Sequence, residues 1–241
     1  MIIQKRNQSG FSLIEVLLAM ATMTVGMVFI GGTFFVGVHF STRSFEKGMG
    51  DLVAREAVNM IRLYGVDPGR PAYSDLKNGL AVNYRDVAVA GPSSNTYVYA
   101  HNRQYRWDAI LQQEPESDGV GVTVFVSRWS GDEDNAPALQ QLDVDFVDNV
   151  AGYFIDPSQV QGLYHDQWVV DGRDIRFKYR VIRSRTDSPA PGHWQLDWDS
   201  RQSQARALPD PAQIWTVVPA SNGILGIQSR IVVVYKDIIP L

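Results

Sequence analysis

Hydrophobic positions fall into three regimes along the chain. From Phe11 to Val38 nearly every residue is apolar or small, and the one charge is Glu15. Val16 to Val38 is uncharged for roughly 23 residues, enough at about 1.5 Å per residue to cross a hydrocarbon core of about 30 Å. Beyond it the apolar positions thin to steps of three and four. Met49, Leu52, Val53, Ala57, Met60, Ile61 and Tyr64 recur, with Arg55, Glu56, Asn59 and Arg62 between them. That spacing predicts an amphipathic continuation of the helix over 39–64, with one stripe laid on a folded head. Gly65, Asp67 and Pro68 predict its end.

After Pro68 the period becomes two. Val120, Val122, Val124 and Val126 alternate with Gly121, Thr123 and Phe125. Leu142, Val144 and Phe146 alternate with Asp143, Asp145 and Val147, and Ile175, Phe177, Tyr179 and Val181 with Arg176, Lys178 and Arg180. Ile227 to Tyr235 reads as a valine-rich closing strand. The stretches 65–95, 130–138, 155–173 and 186–212 read as loops or short irregular connections. The expected class is α+β: a long N-terminal helix, transmembrane in its first half, packed on a mostly antiparallel β-sheet head over 65–241.

Glycines punctuate the helix at Gly26, Gly31, Gly32 and Gly37, without proline. They permit either close packing against neighbouring helices or a segment soft enough to stretch, and packing is the simpler expectation. Gly48 and Gly50 are expected to weaken the junction between the two parts of the helix.

The start of the chain separates three readings of the apolar run. Met1 to Gly10 is short and polar and carries Lys5 and Arg6, which by the positive-inside rule keep the N-terminus in the cytoplasm. A cleaved secretory signal has an apolar core of roughly 7–15 residues, shorter than this one. A plain signal anchor fits the length but leaves Glu15 unexplained, since a carboxylate costs roughly 2.5–3.5 kcal/mol at the centre of a span. The residues Gly10-Phe11-Ser12-Leu13-Ile14-Glu15-Val16 resemble the class III signal of bacterial type IV prepilins and pseudopilins.

That resemblance implies cleavage between Gly10 and Phe11 by a prepilin peptidase and N-methylation of Phe11. It also implies an assembly role for Glu15, the glutamate at the fifth mature position. Physically, a carboxylate and a neighbouring subunit's terminal ammonium attract strongly where the dielectric is low. A subunit added out of register would leave both charges unpaired, so the pair sets the axial register. Gly10 offers an extended backbone with no side chain at the cut. The resemblance covers only about the first 40–55 residues. It divides the chain into a leader over 1–10, a transmembrane and filament-core helix over 11–38, the amphipathic continuation over 39–64, and an exported head. The partners it implies are other pilins or pseudopilins, the prepilin peptidase and an inner-membrane assembly platform.

Composition narrows the remaining choices. The 241 residues carry a net charge of −4 with no block of like charge, so the balance by itself gives no general affinity for nucleic acid. There is no cysteine, which excludes disulfides, thiolate-ligated zinc and thiol catalysis. The histidines His39, His101, His165 and His193 are scattered, and no metalloprotease, nucleophile-elbow or phosphate-loop pattern occurs. Catalysis is therefore not expected, and neither is a bound cofactor.

Three features of the head invite a functional reading beside a structural one. Asp132, Asp134 and Asn135 put oxygen ligands close together and make a calcium site conceivable, although the spacing lacks the twelve-residue loop and a solvated acidic turn explains it equally. Arg176, Lys178 and Arg180 share one face of a strand and could track a DNA backbone or a partner surface. The alternative is a solvent-facing strand balanced by acids such as Asp143 and Asp145. The six tryptophans are expected in the core or at subunit contacts, with Trp194 to Trp198 as a ribbon or loop. The reading as a whole is a minor pilin of a type IV pilus-like filament. A minor pseudopilin of a type II secretion system and a DNA-uptake pilin are alternatives, and a membrane-tethered binding module is the rival from another class.

Overall fold

The computed structural model describes residues 11–89, 97–114, 119–129, 137–147, 152–155, 167–175, 178–183, 194–198, 212–218 and 230–240. The chain forms two compact units, Met1–Glu46 and Lys47–Leu241. Helix α1 (Leu13–Tyr64) supplies the described secondary structure of the first unit and enters the second. Its end is set by Gly65, which takes φ +68° while its amide donates to the carbonyl of Ile61 at 2.8 Å. A residue in this left-handed conformation closes the last turn, and glycine adopts it without steric cost.

In the second unit, α1 is followed by α2 (Ala72–Lys77), β1 (Val82–Asn83) and α3 (Tyr84–Val87). Two long strands come next, β2 (Tyr105–Gln113) and β3 (Gly119–Arg128). The strands β4 (Ala138–Val147), β5 (Gly152–Ile155), β6 (Trp168–Asp171), β7 (Lys178–Arg183), β8 (Trp194–Trp198) and β9 (Ala212–Val218) follow, and β10 (Arg230–Pro240) is last. Among the described residues all strand pairings are antiparallel. They build a four-stranded sheet in the order β1-β2-β3-β10 and a closed barrel in the order β4-β5-β8-β7-β6-β9. The expected class, a long helix on antiparallel sheets, is the one observed. The sheet is two sheets, and stretches expected to be loops contain α2, β1, α3, β6 and β8.

One face of the four-stranded sheet receives the second half of α1. Val53, Ala54, Ala57, Val58 and Ile61 pack with Trp107, Ala109, Leu111, Val120, Val122, Val124, Val126 and Ile239. Gly50 brings the helix closest: a Cβ there would lie 2.6 Å from Val233 Cγ2 and 3.1 Å from Val232 Cγ1. It is therefore a contact point with β10, whereas a Cβ at Gly48 would touch nothing.

The opposite face is also covered. Ile110, Phe125 and Ile231 pack against Val170, Trp215 and Val217 of the barrel strands. This is why β2 and β3 are buried at almost every position, polar ones included. Gln112, Thr123 and one oxygen of Asp108 find partners there, whereas the Ser127 hydroxyl has none among the described residues. Gln112 Nε2 donates to the carbonyls of Gly79 (2.8 Å) and Arg173 (2.6 Å), while its Oε1 accepts from the Ile175 amide at 3.0 Å. The Thr123 hydroxyl donates to the Ile175 carbonyl at 3.3 Å. At the other end of β2, Asp108 is 1% exposed and accepts from Arg85 of α3 at 2.5 Å.

Candidate assembly site at the helix N-terminus

The first turn of α1 is closed by its own side chains. The Ser12 carbonyl accepts from the amides of Glu15 (3.0 Å) and Val16 (3.2 Å), which makes Ser12 the cap residue. Its hydroxyl accepts from the Ile14 amide at 3.4 Å, and Glu15 Oε2 accepts from the Ser12 amide at 3.0 Å. The Glu15 contact is the return half of the capping box that a Ser-x-x-Glu spacing specifies, while the Ser12 hydroxyl takes the second helical amide rather than the third. The positive end of the helix dipole favours a carboxylate at the same place. The reading of Glu15 as an intramembrane acid passes over this role, although its sequence signal stands immediately before the apolar run. Phe11, one residue ahead of the cap, is 87% exposed. Gly10 lies outside the described residues.

Behind the cap the apolar side chains of the helix are exposed. Leu13, Ile14, Leu17, Leu18, Met20, Met23, Met27, Phe29, Ile30, Phe34 and Phe35 are exposed, along with most of their neighbours. The helix is long and apolar enough to cross a membrane. Its hydroxyls suit such a setting. Thr22, Thr24, Thr33 and Thr42 each donate to a carbonyl one turn back, at 2.8–3.0 Å. No polar group of these threonines needs water. A Cβ added at Gly26, Gly31, Gly32 or Gly37 would meet nothing within 4 Å among the described residues.

Residues 5–34 match the family described as the prokaryotic N-terminal methylation motif. The chain carries the class III signal of type IV pilin-like prepilins. The prepilin signal and the apolar helix that follows fit membrane anchoring and pilus assembly, and point to a structural rather than an enzymatic protein. No curated protein and no solved structure matches the chain.

The other candidate residues separate from this site. Asp132, Asp134 and Asn135 lie outside the described residues, as does Arg176. Lys178 and Arg180 lie on β7, whose neighbours are β6 and β8. Arg180 is in register with Trp168 of β6 and Asp197 of β8. The strand holding Asp143 and Asp145 pairs with β5 and β9 instead, so the acid across from Arg180 is Asp197. Among the tryptophans, Trp107 sits in the helix-facing core within 6.2 Å of the Tyr84 ring and 4.9 Å of the Tyr97 ring. Trp215 belongs to the barrel-facing core, and Trp168 packs against it. Trp194 to Trp198 form β8, a strand of the barrel.

Proposed function

We propose that the chain is a minor pilin of a type IV pilus-like filament, cut between Gly10 and Phe11 by a prepilin peptidase and N-methylated on Phe11. The observation that carries this reading is the arrangement at the start of α1. A carboxylate is held at the helix terminus, next to the cleavage position, at the head of a helix whose apolar surface has no cover. With Oε2 accepting from Ser12, Oε1 is left to accept the terminal ammonium of a neighbouring subunit. In a low-dielectric filament core that pairing favours one register and penalises others. Residues 16–38 then pack among the equivalent helices of other pilins, with the glycines at the closest approaches. Lys5 and Arg6 keep the leader in the cytoplasm, where the peptidase and the assembly platform engage it, and the head is exported.

The size of the head favours a minor component, because major pilins are as a family expectation shorter. The same features suit a minor pseudopilin of a type II secretion system. Copy number per filament separates major from minor subunits, and the neighbouring genes separate pilus from secretion machinery. The assembly role is tested with Glu15→Ala in the native host. The variant is expected to be processed normally and to fall at least about tenfold in the sheared-filament fraction, the loss that one unpaired charge produces. Wild-type incorporation of Glu15→Ala would reject the role assigned to Glu15.

A further inference from the structure

The four-residue helix α3 is tied to the sheet edge by a buried ion pair. Asp108 is 1% exposed, and among the described residues only one of its oxygens, Oδ1, has a hydrogen-bond partner, the guanidinium of Arg85 at 2.5 Å. Arg85 is about one-third exposed and lies over the Tyr97 ring, 4.1 Å from its centroid. It therefore fills the space between the acid and solvent, touching β2 on one side and Tyr97 on the other. The charged group on β2 that acts on Asp108 beside Arg85 is Arg106, two positions back on the same face. The opposite strand places Phe125 in register with Asp108 and brings no charge. Beside Arg85 on α3 is Asp86, which acts on Tyr97.

We propose that the Arg85–Asp108 pair is an acid-released latch that holds α3 and the Tyr97 contact against β2. Release of Arg85 and protonation of Asp108 are linked equilibria. In the latched state, Arg85 stabilises the ionised carboxylate. Once Arg85 has swung into solvent, the same carboxylate is buried with only Arg106 nearby, and burial favours its protonated form. Releasing the latch therefore takes up a proton, and acid favours release. Burial raises Asp108 to about 6 even against the opposing pull of Arg85 and Arg106, so the latched form itself begins to protonate in mildly acidic solution. Most of the cost of release lies in leaving the carboxylate buried and unpaired, and protonation of Asp108 removes that cost.

The amide of Ala88 reports the latch, since it donates to the Tyr84 carbonyl at 2.8 Å and closes α3. Amide exchange of the full chain in detergent micelles, corrected for intrinsic rates, is the test. Protection of Ala88 is expected to fall by up to about tenfold per pH unit between about pH 8 and about pH 6. In Asp108→Asn the pH dependence should vanish. Arg85→Met, which removes the exposed partner and leaves the packing of β2 intact, should show low protection of Ala88 at every pH. Constant protection across the range in the wild type would overturn the proposal. So would an Asp108→Asn that keeps the wild-type dependence, or an Arg85→Met as protected as the wild type at about pH 8.

Discussion

At Glu15 a carboxylate accepts the Ser12 amide at 3.0 Å, so its removal has a local consequence and an intermolecular one. Glu15→Gln keeps an oxygen for the cap and loses the charge, whereas Glu15→Ala loses both. Ser12 amide exchange in micelles should therefore be near wild type in Glu15→Gln and faster in Glu15→Ala, by the equivalent of about 1 kcal/mol. Both variants should fail in filament incorporation. Equal assembly of wild type and Glu15→Gln would assign Glu15 to capping alone. Asp108 makes a different prediction, because its acidity is lowered by burial, from 3.8 to about 6. The folded head then holds a proton that the unfolded chain has released between those two values. Stability is highest below about pH 4, falls as the pH rises to about 6, and is level above it; the span is about 3 kcal/mol. Thermal unfolding of wild type and Asp108→Asn across that window checks the sign, with the fall expected in the wild type alone.

Two glycines two residues apart in α1 have opposite expected effects. Gly48→Ala meets open space and should stabilise the helix by about 0.5–1 kcal/mol. Gly50→Ala gains the same propensity but drives a Cβ to 2.6 Å from Val233, and should be net destabilising by about 1–3 kcal/mol. Unfolding midpoints of the two variants in the same detergent give the comparison. The sequence analysis joins these glycines as one weak junction, although Gly50 continues the stripe of Val53, Ala57 and Ile61 one turn back and Gly48 does not. The strands show the same limit. Alternation is readable in Val120 to Val126, and the even-numbered valines do face the helix. The odd-numbered positions, with Gly121 and Thr123 among them, look like a solvent face, yet the barrel covers them. β2 alternates too, with Tyr105, Trp107, Ala109 and Leu111 against Arg106, Asp108 and Gln112, but the polar set looks like a second solvent face and is nonetheless buried. Their partners come from distant segments, as when Gln112 reaches Gly79 and Arg173. Gln112→Leu should therefore cost about 1–3 kcal/mol, since it leaves two carbonyls and one amide without their partner.

At the scale of the molecule, the chain joins an exposed apolar helix to a head built from a sheet and a barrel. The helix was legible because membrane solvation and the prepilin signal both act through contiguous residues. The barrel was not, because its strands are mostly short and some are separated by long intervals, so its closure depends on pairings such as β4 with β9. Under the proposed function, assembly in a filament would give the exposed apolar helix and its internally bonded threonines a common purpose, and processing would be the step on which that purpose depends. The most direct measurement is the mass of the N-terminal peptide after co-expression with a prepilin peptidase. A peptide beginning at N-methylated Phe11 is the predicted result. An intact Met1 end, while a control prepilin is cut in the same cells, would contradict the account and leave a tethered module in its place.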